Sequence, residues 1–274
     1  MTAKFVIVSY GAGTNSTAML VGLHERGERP DAITFCDTGG ERPHTYEHVQ
    51  EVRRWCSKVG FPDIETLVGD MPQQVIDKTL ENECLRLGKL PSKAYGFSSC
   101  SDKWKIEPQR RYNRKVADRL GIGLDDITRL VGFDADEHHR VERGNRFDVL
   151  GQPRIRYPLY EWGWGREECV AAISRAGIKQ PGKSACFYCP STKKKELLEM
   201  RQQYPELVER AIIIERRAKA GEGPSPQTTS AGLGRSYGWE EFLREWDAKT
   251  EAEKDVYKTQ LDIFAPEICD VCVG

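Results

Sequence analysis

The stretch KFVIVSYGAGTNSTAML (residues 4–20) runs an apolar segment straight into Gly-Ala-Gly-Thr-Asn-Ser-Thr and then turns apolar again. Phe5, Val6, Ile7 and Val8 are β-rich, whereas Ala18, Met19, Leu20, Val21 and Leu23 recur as on a helix that Gly27 and Pro30 bring to a stop. The junction carries Gly11 and Gly13 with Ala12 between them, followed by the small polar side chains of Asn15, Ser16 and Thr17. Such a turn leaves backbone N–H groups free and aims them, with the positive end of the helix dipole, at one point that suits an anion, most often a phosphate. Taken alone, the turn reads equally as an ordinary strand-to-helix junction capped by Asn15 or Ser16. It is neither a Walker loop nor a G-x-G-x-x-G dinucleotide turn.

Moving outward, strand patterns are predicted at Lys4–Ser9, Ala32–Cys36, Ile64–Val68, Ile127–Phe133 and Arg154–Leu159. Helical patterns lie between them at Ser16–Arg26, His44–Val59, Gln73–Leu87, Lys103–Leu120 and Arg166–Ala176. The alternation predicts an α/β fold, an open and mostly parallel sheet with helices on both faces, followed by a helical C-terminal extension. In such sheets ligands bind beyond the carboxyl ends of the strands. The Gly11–Thr17 turn lies at one such end. The second strand ends in FCDTGGERPHTYEHV, bringing Asp37 and Thr38 to the same rim, and the fourth ends in LVGFDADEHHR, adding Gly132, Asp134, Glu137 and Arg140.

After residue 190 the sheet pattern stops. Thr192–Ala220 is predicted helical with a break at Pro205, Gly221–Gly238 reads as a loop, and Trp239–Lys254 as one further helix before a tail bearing Cys269 and Cys272. The domain expectation is a nucleotide-binding α/β domain over residues 1–190 and an extension over 191–274.

Composition narrows the function. Hydrophobic content of 39%, charged content of 30% and net charge of −1 describe a globular chain with no global pull toward nucleic acid. No apolar run approaches the roughly 18 residues that cross a membrane, and no signal peptide precedes the first strand, so a cytoplasmic protein without a membrane partner is expected. Between Lys93 and Arg119 eight Lys or Arg face Asp102, Glu107 and Asp118, a pattern that by itself is usually a solvated helix face. Nine cysteines in a reducing compartment favour metal or redox chemistry over disulfides. Cys36, Cys56 and Cys169 sit in apolar or helical patterns and read as packing residues. The spacing of Cys186 and Cys189 suits zinc or an iron–sulfur cluster equally.

Six segments together resemble a family. SYGAGTNSTAML, FCDTGGERPHTYEHV, SSCSDKWKIEPQRR, LVGFDADEHHR, YPLYEWGWGREECVAAI and KSACFYCPST occur in the order seen in phosphoadenosine phosphosulfate (PAPS) reductase-like proteins of the adenine-nucleotide alpha-hydrolase (PP-loop) superfamily, and look most like a phage and bacterial branch. The resemblance covers roughly residues 4–205. It implies that Ser9, Gly11, Ala12, Gly13, Asn15, Ser16 and Thr17 hold the phosphates of ATP or a related adenine nucleotide, Ser16 and Thr17 through their hydroxyls, with Asp37, Thr38, Gly132 and Glu137 completing the site. The turn departs from the superfamily's Ser-Gly-Gly-x-Asp-Ser. Ala12 replaces a glycine and Asn15 an aspartate, and Asn15 brings no charge for Mg²⁺.

The resemblance further implies that Cys100, Cys186 and Cys189 hold a [4Fe–4S] cluster. Ser101 stands where the cluster-bearing sulfonucleotide reductases have a second cysteine, so Cys84, Cys269 and Cys272 remain open as a fourth ligand. Lys105, with Arg110 and Arg111, would neutralise a sulfate, a phosphate or the cluster. Lys105, Asp37 and Arg140 are the candidate catalytic residues.

The leading expectation is an ATP pyrophosphatase or sulfurtransferase that adenylylates a substrate and then transfers sulfur, with a tRNA, a DNA or a small molecule as acceptor and a sulfur donor as partner. A second is a sulfonucleotide reductase drawing on a thioredoxin-like reductant, although PEICDVCVG lacks the Glu-Cys-Gly-x-His tail of those enzymes. A third is a zinc-stapled nucleic-acid-binding module built on the Lys103–Arg119 helix, which the acidic DADE stretch and the near-neutral charge oppose. A homo-oligomer is expected.

Overall fold

The computed structural model describes residues 4–69, 77–91, 93–94, 97–145, 152–224 and 231–263. In chain order the elements are β1 (Phe5–Tyr10), α1 (Thr14–Glu25), β2 (Ala32–Asp37), α2 (Pro43–Val59), β3 (Ile64–Val68) and α3 (Leu80–Leu87). Next come the two-residue strands β4 (Lys93–Ala94) and β5 (Phe97–Ser98), the single turn α4 (Ser99–Ser101), and a π-helical stretch (Asp102–Ile106) running into α5 (Glu107–Leu120). Then follow β6 (Ile127–Val131), α6 (His138–Asn145), β7 (Arg154–Arg156), α7 (Pro158–Glu161) and α8 (Arg166–Arg175), and finally α9 (Lys194–Gln203), α10 (Pro205–Lys219), α11 (Trp239–Asp247) and α12 (Glu251–Ile263). The chain forms two compact units. One comprises residues up to Asp37, Glu41–Gly69 and Trp104–Ser184; the other comprises residues 38–40, 70–103 and 185 onward.

The first unit contains a five-stranded sheet in the order β3-β2-β1-β6-β7, all parallel, with Tyr10 beside Phe35 and Ser9 beside Val131. This is the expected α/β fold. Neighbouring residues of β1 serve opposite faces because strand side chains alternate. Val8 and Tyr10 pack with Met19 and Leu20 of α1, Val52 of α2 and Ile173 of α8. Ile7 packs with Ala32, Ile127 and the α5 residues Val116 and Ala117. Each such aliphatic side chain taken from water contributes about 1.5–3 kcal/mol. The chain winds from β1 outward through β2 and β3, then returns to the other side of β1 as β6 and β7. The reversal leaves a crevice beyond the carboxyl ends of β1 and β6.

Several boundaries differ from the sequence patterns. The fifth strand stops at Arg156 rather than Leu159, because Pro158 has no N–H for the ladder and instead opens α7. The fourth stops at Val131 rather than Phe133. Of the pattern Gln73–Leu87, residues 73–76 lie outside the described residues, and the helix begins only at Leu80, where the Thr79 hydroxyl accepts from Asn82 N. The pattern from Lys103 starts as π-helix around the fully buried Trp104 ring. A Cβ on Gly69 would lie 2.2 Å from that ring, so only glycine fits there.

Among its described residues the regular structure of the second unit is helical apart from the antiparallel pair β4–β5. Its organising group is Glu215 of α10, fully buried, whose carboxylate accepts from Leu233 N (2.7 Å), Trp239 N (2.9 Å) and Lys219 Nζ (3.1 Å). The predicted single helix Trp239–Lys254 is two helices, because Thr250 and Glu253 form a reciprocal cap that starts α12. No helix among the described residues is long and apolar enough to cross a membrane.

Candidate functional site

The Gly11–Gly13 turn leaves β1 at the edge of the crevice. Gly13 is the N-cap residue of α1 in extended conformation, and no side chain caps the helix. By helix geometry the N–H groups of Thr14, Asn15 and Ser16 therefore have no acceptor within the helix. Ser16 Oγ closes the turn by accepting from Gly13 N (3.3 Å) and donating to Gly13 O (3.2 Å), and Ser184 Oγ donates to Gly11 O (2.5 Å). Neither Gly11 nor Gly13 has a positive φ, and a Cβ on either would meet nothing closer than 3.8 Å. The protein's own packing thus gives no reason for glycine at these two positions. Bare backbone there keeps a concave row of N–H groups open to close approach. Ala12 takes the strain instead, with φ of 56°.

Asn15 and Thr17 hydrogen-bond to side chains outside the turn. Asn15 Nδ2 donates to Asp134 Oδ2 (2.9 Å) and Glu137 Oε2 (3.0 Å), while Arg166 Nη1 donates to its Oδ1 (3.4 Å). Asp134 and Glu137 are both buried, and burial first, then the neighbouring Glu137 charge, raises the Asp134 carboxyl above its usual range. Glu137 is ion-paired with Arg140, whose guanidinium lies 4.2 Å over the Phe133 ring. Thr17 is fully buried, its hydroxyl shared between His48 Nε2 (3.0 Å) and the Tyr10 hydroxyl (3.4 Å). Burial holds the His48 imidazole below its usual pKa, against the opposing pull of Glu51. Ser9 donates its hydroxyl to Gln109 Oε1 (3.0 Å) and accepts from Arg129 Nη2 (3.1 Å). Gly132 lies against α1, where a Cβ would be 3.1 Å from Ser16 N and Cα. The hydroxyls of Ser9, Ser16 and Thr17 thus bond to Gln109, Gly13 and His48 within the protein, and the turn presents backbone N–H groups beside them.

At the end of β2, Asp37 Oδ1 accepts from the Tyr46 hydroxyl (2.8 Å). Lys105 comes from the π-helical stretch; its carbonyl accepts from Cys36 Sγ (3.2 Å) and its Nζ stands 4.0 Å from Glu41 Oε1. Arg111 donates to Val68 O (3.0 Å), and Arg110 stands 3.7 Å from Glu107.

The cysteines sort by exposure. Cys36, Cys56, Cys84 and Cys169 are buried, whereas Cys100, Cys186 and Cys189 are half-buried. Burial pushes the thiols of Cys56 and Cys169 up to about 12 and raises those of Cys36 and Cys84. Cys100, Cys186 and Cys189 all belong to the second unit. Cys186 and Cys189 sit in one tight turn, with Cys189 N donating to Cys186 O (3.1 Å). Hydroxyls stand beside two of the sulfurs: Thr38 Oγ1 is 3.0 Å from Cys186 Sγ and Ser98 Oγ is 3.1 Å from Cys100 Sγ. Accessible thiols with hydroxyl neighbours fit thiolate ligation in their chemistry. Among the described residues, however, no three His, Cys, Asp or Glu side chains are gathered closely enough to hold one metal ion. Cys269 and Cys272 lie outside the described residues.

Sequence reasoning did not single out Ser184, Tyr46, Gln109 or Arg129. Ser184 stands two residues before Cys186 inside a quoted motif, but nothing in its type or spacing foretells a bond to a turn 173 residues earlier.

No protein-family model matches the chain. It is 27% identical to an argininosuccinate synthase of Synechococcus sp. (strain WH7803) and 26% identical to that of Synechococcus sp. (strain CC9605), in each case over 187 residues, 65% of this chain and 41% of the other. The chain thus spans about two-fifths of the length of these curated relatives. Among solved structures it is similar to the U34-tRNA thiolase NcsA from Methanococcus maripaludis with its [4Fe–4S] cluster, at TM-score 0.43 and 12% identity over 80% of this chain and 73% of that one. The sequence similarity supports the adenine-nucleotide alpha-hydrolase superfamily and does not single out its PAPS reductase-like family.

Proposed function

We propose that this chain is an enzyme that binds ATP or a related adenine nucleotide at the Gly11–Gly13 turn and uses it to activate a substrate for sulfur transfer. The observation that carries the reading is the pair of glycines that the fold itself does not require, at the mouth of the β1–β6 crevice and ahead of an uncapped helix. Similarity to argininosuccinate synthases over 65% of the chain supports the ATP-using part of it.

In the proposed reaction an oxygen of the acceptor attacks the α-phosphorus of ATP, the bond from that phosphorus to the oxygen bridging to the β-phosphate breaks, and pyrophosphate leaves. A thiol or sulfide then displaces AMP from the adenylylated carbon. The N–H groups of the turn and of Thr14–Ser16 hold the phosphates, as fixed donors do for charge that develops during reaction. Lys105 supplies positive charge at the end of β2, and Arg140 positions Glu137 and, through it, Asn15. Cys100, Cys186 and Cys189 would hold a [4Fe–4S] cluster, which when bound supplies iron able to carry sulfur.

Calorimetric titration of ATP into wild type and Gly13→Val tests the nucleotide site. A Cβ there meets nothing closer than 3.8 Å, so the variant is expected to fold while ATP affinity falls about tenfold or more, the loss of one or two charge-assisted hydrogen bonds. Equal affinity in a folded variant would overturn the reading.

A further inference from the structure

The first turn of α2 holds two buried polar side chains that lack hydrogen-bond partners among the described residues. Arg42, the N-cap residue, is only 7% exposed, and neither its Nε nor its Nη2 has an acceptor. Thr45, the third helical residue, is 1% exposed, and its Oγ1 is likewise unpartnered. Among the described residues no carboxylate lies within ion-pair distance of Arg42, and the adjacent Glu41 stands instead by Lys105. Two guanidinium N–H groups kept from water with nothing to bond are costly to the folded state, because the penalty of losing their hydration is not offset.

The two open nitrogens are on one edge of the guanidinium. Nε–H and Nη2–H point the same way, in the fork that meets two oxygens of a carboxylate, phosphate or sulfate at once. The helix behind them has no side-chain cap and no acidic residue in its first turn, so its dipole favours a negative charge at the same end. We infer that Arg42 Nε and Nη2, with Thr45 Oγ1 and the N-terminus of α2, form a second oxyanion subsite that takes a carboxylate, phosphate or sulfate group of a substrate. The subsite does not depend on the nucleotide reading. Its oxyanion comes either from the nucleotide itself or from a second substrate.

The test is thermal unfolding of wild type, Arg42→Met and Arg42→Lys in chloride at fixed ionic strength, with sulfate, phosphate or acetate replacing chloride. At least one of these oxyanions should raise the Tm of wild type beyond the rise that the anion gives any protein. Arg42→Met should melt at or above wild type in chloride, since it removes an unpaired buried charge, and should lose the specific rise, with apparent oxyanion affinity roughly tenfold or more weaker. Arg42→Lys keeps the charge without the fork and should respond more weakly than wild type. Repeating the titration with saturating ATP separates the sources: a response that disappears assigns the oxyanion to the nucleotide, and one that persists assigns it to a second substrate. Equal responses in wild type and Arg42→Lys, or an Arg42→Met protein that melts well below wild type in chloride or does not fold, would overturn the inference by giving Arg42 a structural role. Failure of ATP binding, read by the Gly13→Val calorimetry, leaves it standing.

Discussion

Asn15 Nδ2 donates to Asp134 Oδ2 at 2.9 Å, so the first turn of α1 is tied to the exit of β6 where the sheet reverses. The same amide reaches Glu137 Oε2 at 3.0 Å. A neutral donor there lets two buried carboxylates sit side by side. An aspartate, which the superfamily pattern has at this position, would be a third negative charge unless a cation joined it.

Asn15→Asp should therefore destabilise the protein by about 1–3 kcal/mol at neutral pH in the absence of divalent metal. The pH dependence follows from the direction of the Asp134 shift. Its carboxyl is raised in the folded state, by burial and then by Glu137, and the Asn15 hydrogen bond is what restrains the rise. A raised carboxyl favours folding below its unfolded pKa and loses that contribution as pH rises through the folded value. The deficit of Asn15→Asp should thus be smaller at pH 4.5 than at pH 7.5 in urea unfolding, and Mg²⁺ should recover part of it at pH 7.5. A deficit independent of pH would contradict the carboxylate cluster.

Thr17→Val separates a packing hydroxyl from a ligand contact. The hydroxyl lies between His48 and Tyr10 in the core, so its loss should cost about 1 kcal/mol of stability and leave ATP affinity unchanged. A variant as stable as wild type that binds ATP tenfold more weakly would place the hydroxyl on the phosphates after all.

The parallel sheet and the place of the Gly11–Gly13 turn at its edge were legible in the sequence because both are written in local pattern. Apolar strands alternate with amphipathic helices, and a glycine pair breaks one strand-to-helix junction. What the hydroxyls of Ser9 in that strand and of Ser16 and Thr17 beyond it bond to was not legible. Ser9, Ser16 and Thr17 differ only in which way the backbone turns them, and their partners Gln109, Gly13 and His48 are set by tertiary packing. The break at residues 248–250 was legible in principle, since Thr250 followed by Glu253 is a capping box, but it sits inside a continuous helical pattern. Arg42 carried no signal, because an arginine before Pro43 reads as a solvated helix start until its burial is seen.

Glu215 fixes the loop between α10 and α11 by taking the N–H groups of Leu233 and Trp239 on one carboxylate. Glu215→Ala should cost about 2–4 kcal/mol, since it strands those two donors in the interior, while the exposed Lys219 ammonium stays in water. Limited proteolysis should then cut between residues 220 and 238 far faster than in wild type. Glu215→Gln, which keeps an acceptor, should lie between the two. A Glu215→Ala protein with wild-type melting and cleavage would remove the carboxylate from that role.

Thiol labelling tests the cysteine assignment. Cys56 and Cys169, held near pKa 12 by burial, and the equally buried Cys36 and Cys84 should resist iodoacetamide in the native protein, because the thiolate is the reactive form and the sulfurs are covered. Cys100, Cys186 and Cys189 are half-buried and should label in the metal-free protein, as peptide mass mapping would show. After anaerobic loading with iron and sulfide the same three should become protected, with about four irons per chain if the bound group is a [4Fe–4S] cluster. Protection of Cys186 and Cys189 together with one zinc per chain and no visible absorbance would replace the cluster by a structural metal. Labelling of all three at an unchanged rate after loading would remove them as ligands. Protection spreading to Cys84, whose raised pKa owes part of its shift to the charge of Cys100, would identify it as the fourth ligand. That last outcome requires α3 to move, because Cys84 is buried on that helix and a thiolate must reach the iron to bind it.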